Sequence, residues 1–227
     1  MSFDLDKYRL EQADFSRNTS TRVPICLMVD TSLSMKLENR MSKINDGVKK
    51  FIADMKNDPY AVSSVELCIV TFGGIAEVYV PFTEIGKLEF KDMMYNGKTP
   101  LGEATEIAVN AVMERLKLYD EKGITNFNPW IIIFSDGLAN DDTYKKYAKH
   151  LCQLQTENRW KVMTIGLGSE KNSLADFTPN HNVYGLKDID VSDFFDWISQ
   201  SVSNLSKSRP DITNYSDEEL RFKGNLL

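Results

Sequence analysis

Two short, nearly all-apolar runs constrain this 227-residue chain more than any other feature: residues 23–29 (VPICLMV) and 129–134 (PWIIIF). Strands without polar alternation are covered on both faces, the pattern of a parallel sheet held between helices. The segments around them fit that reading. Ile44, Val48, Phe51, Ile52 and Met55 follow helical spacing, and Asn57-Asp58-Pro59 stops that helix. Residues 65–72 and 76–80 read as a hairpin across Phe72-Gly73-Gly74-Ile75, its second strand ending at Pro81 on a sheet edge. A long connection over 82–100, with a short helix near Lys87, precedes an amphipathic helix marked by Ala104, Ile107, Ala108, Ala111, Val112 and Leu116. Tyr144, Tyr147, Ala148 and Leu151 mark another helix with core-facing tyrosines. Residues 162–167 read as a strand, 182–184 as a short last one, and 191–205 as a closing helix.

This alternation predicts one α/β domain: a mostly parallel six-stranded sheet with one antiparallel edge strand and helices on both faces. Residues 1–21 read as a polar N-terminal arm, 22–205 as the domain and 206–227 as a polar C-terminal tail. The net charge of −6 argues against a general nucleic-acid binder, which needs a basic footprint. Cys26, Cys68 and Cys152 are odd in number and widely spaced, so they read as reduced thiols of a cytoplasmic protein. The first ten residues lack the pattern of a signal peptide, and no apolar run reaches bilayer-spanning length, so no membrane association is expected.

In open parallel sheets, ligands bind outside the carboxyl ends of the strands, where strand order reverses. After the first buried strand come Asp30-Thr31-Ser32-Leu33-Ser34, and after PWIIIF come Ser135-Asp136-Gly137. The long loop ends in Gly97-Lys98-Thr99-Pro100-Leu101-Gly102. If the two strands are neighbours, carboxylates and hydroxyls converge on one edge. An all-oxygen set without His or thiolate suits a hard cation such as Mg²⁺ or Mn²⁺. Ser32 and Ser34 could also serve as helix caps. Gly97-Lys98-Thr99 is not a phosphate loop, since Asp92 stands where that motif needs its first glycine. With only His150 and His181, and no Gly-x-Ser-x-Gly elbow, the sequence argues against a serine-hydrolase arrangement.

Asp30, Ser32 and Ser34 (DxSxS), then Thr99, then Asp136 with Gly137 resemble the von Willebrand factor A (VWA) domain with a metal-ion-dependent adhesion site. That fold is a Rossmann-like three-layer sandwich. The resemblance spans about residues 22–205 and implies that Ser32, Ser34 and Thr99 touch a metal, while Asp30 and Asp136 hold it mainly through water. Mg²⁺ is the implied cofactor, with Mn²⁺ or Ca²⁺ as alternatives. Thr99-Pro100-Leu101-Gly102, Asn128-Pro129-Trp130 and Phe195-Asp196-Trp197-Ile198-Ser199 are similar to the bacterial TerY-type VWA proteins associated with tellurium resistance. Kinase-like and phosphatase proteins neighbour that family.

The resemblance implies a protein-binding adaptor, not an enzyme, in a tellurite or stress-response system. Neutral hydroxyls and largely indirect carboxylates leave a cation electrophilic, so a partner's Asp or Glu can complete its octahedron. Lys98, Leu101, Leu138 and Asn140 are expected to rim that contact. Lys98 either draws in an acidic partner residue or simply faces solvent. Two alternatives remain: a vestigial metal site, and an aspartyl-phosphate phosphohydrolase using Asp30. Against the second, Ser32 stands where haloacid-dehalogenase phosphatases need an acid/base Asp.

Overall fold

The computed structural model describes residues 18–136, 139, 142–168, 173–181, 183–185 and 191–208. In chain order the elements are β1 (Val23–Asp30), α1 (Arg40–Asn57), α2 (Ala61–Ser64), β2 (Val65–Gly73), β3 (Ile75–Glu84), α3 (Leu101–Lys122), β4 (Trp130–Ser135), α4 (Tyr144–Thr156), β5 (Lys161–Gly166), β6 (Tyr184–Gly185) and α5 (Val191–Ser206). Short 3-10 segments cover Leu33–Asn39, Ile85–Lys87 and Leu174–Phe177.

The six strands form one sheet in the order β3-β2-β1-β4-β5-β6, and only the β2–β3 pair is antiparallel. The chain therefore builds outward from β1 in one direction and then in the other, and the order reverses between β1 and β4. That is the crevice where this architecture places ligands. Side chains alternate across the sheet. Ile25, Leu27 and Val29 of β1 face α1 and α5, while Cys26 and Met28 face α3 and α4. On the first face Phe134 stacks on Phe195 at 5.5 Å between ring centroids.

Helices α1, α3 and α4 have no side-chain hydrogen bond at their N-caps. A cap contributes about 1 kcal/mol, whereas each fully buried large apolar side chain contributes about 1.5–3 kcal/mol. Tertiary burial thus decides where these helices form. The C-terminus of α3 is the local exception: Gly123, at φ 64°, donates its N–H to the carbonyls of Tyr119 and Asp120 and ends the helix.

Two sequence expectations need correction. Strand β3 does not end at Pro81; it continues to Glu84. The register jumps from Ile69↔Val80 to Leu67↔Thr83, so the proline lies in a bulge of an edge strand, where its missing N–H costs no ladder bond. Tyr144 is buried and stacks on Phe177, but Tyr147 is only half-buried, beside the Lys146 ammonium.

The helix stop after α1 has a second role. Asp58 accepts N–H bonds from Tyr60 at 2.8 Å and Ala61 at 3.0 Å, a hydroxyl bond from Ser203, and an ion pair from Lys207 at 3.2 Å. Burial opposes its ionisation, but these donors outweigh it and hold the carboxyl well below the usual range. A lowered acid stabilises the fold fully above the unfolded value of 3.8 and progressively less as pH falls below it. Asp58→Ala is therefore expected to cost about 1–2 kcal/mol at neutral pH, with the difference from wild type shrinking on acidification below the usual carboxylate range. Urea melts of both proteins across pH check it; a pH-independent difference contradicts it. No described helix is long and apolar enough to cross a membrane.

Candidate functional site

Strand β1 ends in Asp30 and its parallel neighbour β4 ends in Ser135, with Val29 opposite Phe134 in register. Both strands therefore deliver polar residues to the same sheet edge at the order reversal. Asp30 is fully buried. Its Oδ1 accepts the Ser32 N–H at 2.8 Å, and its Oδ2 accepts the Ser135 hydroxyl at 2.6 Å. The Ser32 and Ser34 hydroxyls lie 3.0 Å apart. Ser32 occupies the N-cap position of the 3-10 segment but makes no side-chain cap bond, so its hydroxyl stays with Ser34. Asp136 and Thr99 are both buried at this edge.

The loop carrying Thr99 is fastened to this turn by backbone hydrogen bonds. The Asn96 N–H donates to the Thr31 carbonyl at 2.6 Å, the Leu33 N–H to the Gly97 carbonyl at 3.2 Å, and the Gly74 N–H to the Lys98 carbonyl at 2.6 Å. The β2–β3 turn, the post-β1 turn and the Thr99 loop thus form one stitched rim. Glycine is required at the crossing. Gly97 has φ +58°, and a Cβ there would come within 2.3 Å of the Gly74 Cα. Farther back, the long connection is clamped to α1 by a reciprocal amide pair: Asn45 Nδ2 donates to the Met93 carbonyl at 3.0 Å and Asn45 Oδ1 accepts the Met93 N–H at 2.9 Å. At the end of the 3-10 segment, just before α1, the backbone turns through Glu38 and Asn39, both left-handed at φ 54° and 56°.

Burial pushes the Asp30 carboxyl above the usual aspartate value. Hydrogen bonds from Ser135 and Ser32 pull it partly back, and the Asp136 charge adds to the rise. No described Lys or Arg forms an ion pair with Asp30. Two carboxylates buried side by side, with a hydroxyl pair beside them, form a hard-oxygen set in which a divalent cation would relieve the repulsion. The donor chemistry of Asp30, Asp136 and the Ser32–Ser34 hydroxyl pair, with Thr99 buried on the adjoining loop, therefore fits a hard cation. Among the described residues, no three His, Cys, Asp or Glu side chains gather into a metal-binding group. A site with two carboxylates and three hydroxyls does not depend on one.

Of the residues expected at the rim, Lys98 is exposed. Leu101 is not: as the first residue of α3 it turns inward and is fully buried with Ala104 and Ala108, so its side chain cannot meet a partner. Leu138 and Asn140, with Gly137, lie outside the described residues. Sequence reasoning missed Ser135 as the hydroxyl that holds Asp30, although its place at the end of the strand beside β1 was a usable signal. It also missed Asn45, a buried amide within an apolar helical stripe. His150 and His181 are exposed and contribute nothing here; His181 Nδ1 lies 2.8 Å from the Ala175 carbonyl.

Several solved structures share this fold. The pilus adhesin SpaC from Lactobacillus rhamnosus GG superposes with a TM-score of 0.60 at 14% identity, covering 83% of this chain and 31% of the adhesin. The vWF domain of the type V pili tip protein Mfa5 from Porphyromonas gingivalis gives 0.58 at 15% identity, covering 86% of this chain and 99% of that domain. Proximal thread matrix protein 1 from the mussel byssus, with a zinc-occupied MIDAS motif, gives 0.52 at 17% identity, covering 83% of this chain and 46% of that protein. The chain thus spans well under two thirds of the adhesin and of the mussel protein. No curated protein is significantly similar to it in sequence. The family model of the von Willebrand factor type A domain matches residues 25–138, just over half of the chain and the stretch from β1 through the Asp136 loop. Sheet order, edge chemistry and family match agree, and the chain belongs to the von Willebrand factor type A domain family.

Proposed function

We propose that this protein is a Mg²⁺-dependent protein-binding adaptor that recognises an acidic residue of a partner at the edge formed by Asp30, Ser32, Ser34, Thr99 and Asp136. The observation that carries this reading is the meeting of a buried, hydrogen-bonded Asp30 with the Ser32–Ser34 hydroxyl pair beside Asp136, at the point where strand order reverses. When bound, the cation supplies an electrophilic position that an anionic oxygen can fill. The chain's own part is to orient the donors. Ser32 and Ser135 fix the Asp30 carboxylate, and the stitched backbone of residues 96–98 holds Thr99 beside the DxSxS turn.

The same geometry disfavours the phosphohydrolase alternative. Asp30 is fully buried with its Oδ2 turned to the Ser135 hydroxyl, and Ser32, not an acid/base Asp, stands two residues on. On the resemblance of residues 99–102, 128–130 and 195–199 to TerY-type proteins alone, we place the protein in a bacterial tellurite or stress-response system, in the cytoplasm, with kinase-like or phosphatase proteins as partners.

Isothermal titration tests the reading. The wild-type chain is expected to bind Mg²⁺ or Mn²⁺ at one site, reversibly on adding a chelator, and to show no turnover of aryl phosphates. The Ser32→Ala/Ser34→Ala double variant is expected to lose that binding. Equal affinity in the variant, or Asp30-dependent phosphate release, would refute it.

A further inference from the structure

Seven large apolar side chains are exposed among the described residues, and five of them crowd this edge: Leu33 at 60%, Leu37 at 60%, Ile75 at 62%, Met94 at 75% and Tyr95 at 39%. They come from three segments far apart in sequence, and the structure holds those segments together. Leu33 donates its N–H to Gly97, Ile75 follows the glycine that is bonded to Lys98, and Tyr95 lies under the Lys36 ammonium at 5.9 Å from its ring centroid. Leu37 and Met94 flank that cation–aromatic contact in sequence. An apolar cluster on the rim of a polar site marks an interaction surface, because monomers rarely leave such side chains together in water.

Charge narrows the partner. The chain carries a net charge of −6, yet the two exposed lysines on this rim, Lys36 and Lys98, form no ion pair with any described carboxylate. The two acids of these lysine-bearing segments are engaged elsewhere: Glu38 with Arg40 at 3.3 Å, and Asp92 with Lys49 at 2.7 Å. The charges left without an ion pair among residues 33–38 and 92–98 are therefore both lysines, set beside an apolar cluster on an acidic protein, the complement of a segment that is acidic and apolar.

We infer that this collar docks a protein segment in which an Asp or Glu is flanked by large aliphatic or aromatic side chains. The apolar residues seat against Leu33, Leu37, Ile75, Met94 and Tyr95, while Lys36 and Lys98 attract the carboxylate. The delivery of that carboxylate to a cation rests on the function proposed above; the apolar docking does not. Fully desolvated apolar anchors carry most of the energy of such contacts, and charges at the rim mainly steer.

The test selects peptides from a random display library on the immobilised full chain in Mg²⁺, then measures synthetic versions by fluorescence anisotropy. Selected sequences are expected to combine a carboxylate with large apolar residues. Leu37→Ser/Ile75→Ser/Met94→Ser, all exposed positions, is expected to weaken them by about tenfold or more while leaving Mg²⁺ titration and thermal melting unchanged. Met113→Ser, exposed midway along α3 and away from this edge, is expected to change nothing. Binding that survives chelation but is lost in the triple variant keeps the docking surface and removes the metal reading. Binding lost on chelation but intact in the triple variant does the reverse and overturns this inference. Purely acidic peptides, no enriched peptide, or a self-association abolished by the triple variant overturn it as well.

Discussion

Truncating Glu66 to alanine is expected to cost about 3–5 kcal/mol, enough to consume much of the roughly 5–15 kcal/mol that holds a domain together. Glu66 is fully buried at the end of the sheet opposite Asp30. Its Oε2 accepts the Arg115 Nε–H at 2.6 Å and the Tyr119 hydroxyl, and its Oε1 faces Arg22 Nε at 3.4 Å. Arg22, itself fully buried, also reaches Glu84 at 3.2 Å and the Ser63 carbonyl at 2.5 Å. Burial and the Glu66 charge together push the Tyr119 phenol well above its usual value, as expected for a neutral donor locked onto a carboxylate. Removing Glu66 takes the Nε–H acceptor from Arg115 and one carboxylate from Arg22 in a low-dielectric interior, where losing one member of a buried ion network costs far more than the intact network contributes. Glu66→Gln retains an acceptor for Tyr119 and is expected to lose less. Urea unfolding of both variants measures the effect; a Glu66→Ala midpoint close to that of wild type defeats it.

At the other end of the sheet, Asp30→Asn is expected to separate binding from folding. The amide keeps the acceptor for the Ser32 N–H and can meet Ser135, but it no longer buries a charge next to Asp136. Metal-free, the variant is expected to be more stable than wild type by about 0.5–2 kcal/mol, the usual gain when a strained functional group is neutralised. Mg²⁺ affinity is expected to fall by about 10–100-fold, the scale for losing a group that holds a metal indirectly. Thermal melts with and without Mg²⁺ read both quantities at once, because a ligand that binds only the folded state raises its stability. An Asn variant less stable than wild type in chelator would make Asp30 a structural hub and not a cation holder.

The two predictions differ in how visible their residues are in the sequence. Asp30, Ser32 and Ser34 fall two apart on one turn, and Asp136 follows an unmistakable strand, so their places after buried strands, together with the family resemblance, nominate them. Glu66, Arg115 and Tyr119 carry no such mark. Their contacts join residues 49 and 53 positions apart, and nothing in either segment announces a buried ion pair. Arg22 is similar: a lone arginine before a strand looks solvated until Glu66 and Glu84 close over it. Pro81 was misread as a strand end because its tolerance depends on a bulge opposite β2. Leu101 was misread as a rim residue because the entry direction of α3 decides which way its first side chain points.

By itself, the sequence determined the alternation of strands and helices, the covered sheet and the oxygen-bearing residues that follow the buried strands, since burial period and residue chemistry are properties of short segments. Only the tertiary structure decided which hydroxyl holds Asp30, how Gly74 and Gly97 let two loops cross, where five apolar side chains gather around the edge, and how two arginines stay buried. Those outcomes depend on backbone groups and charges brought together from distant segments and stripped of water, and the energy of a desolvated contact exists only once both sides have arrived.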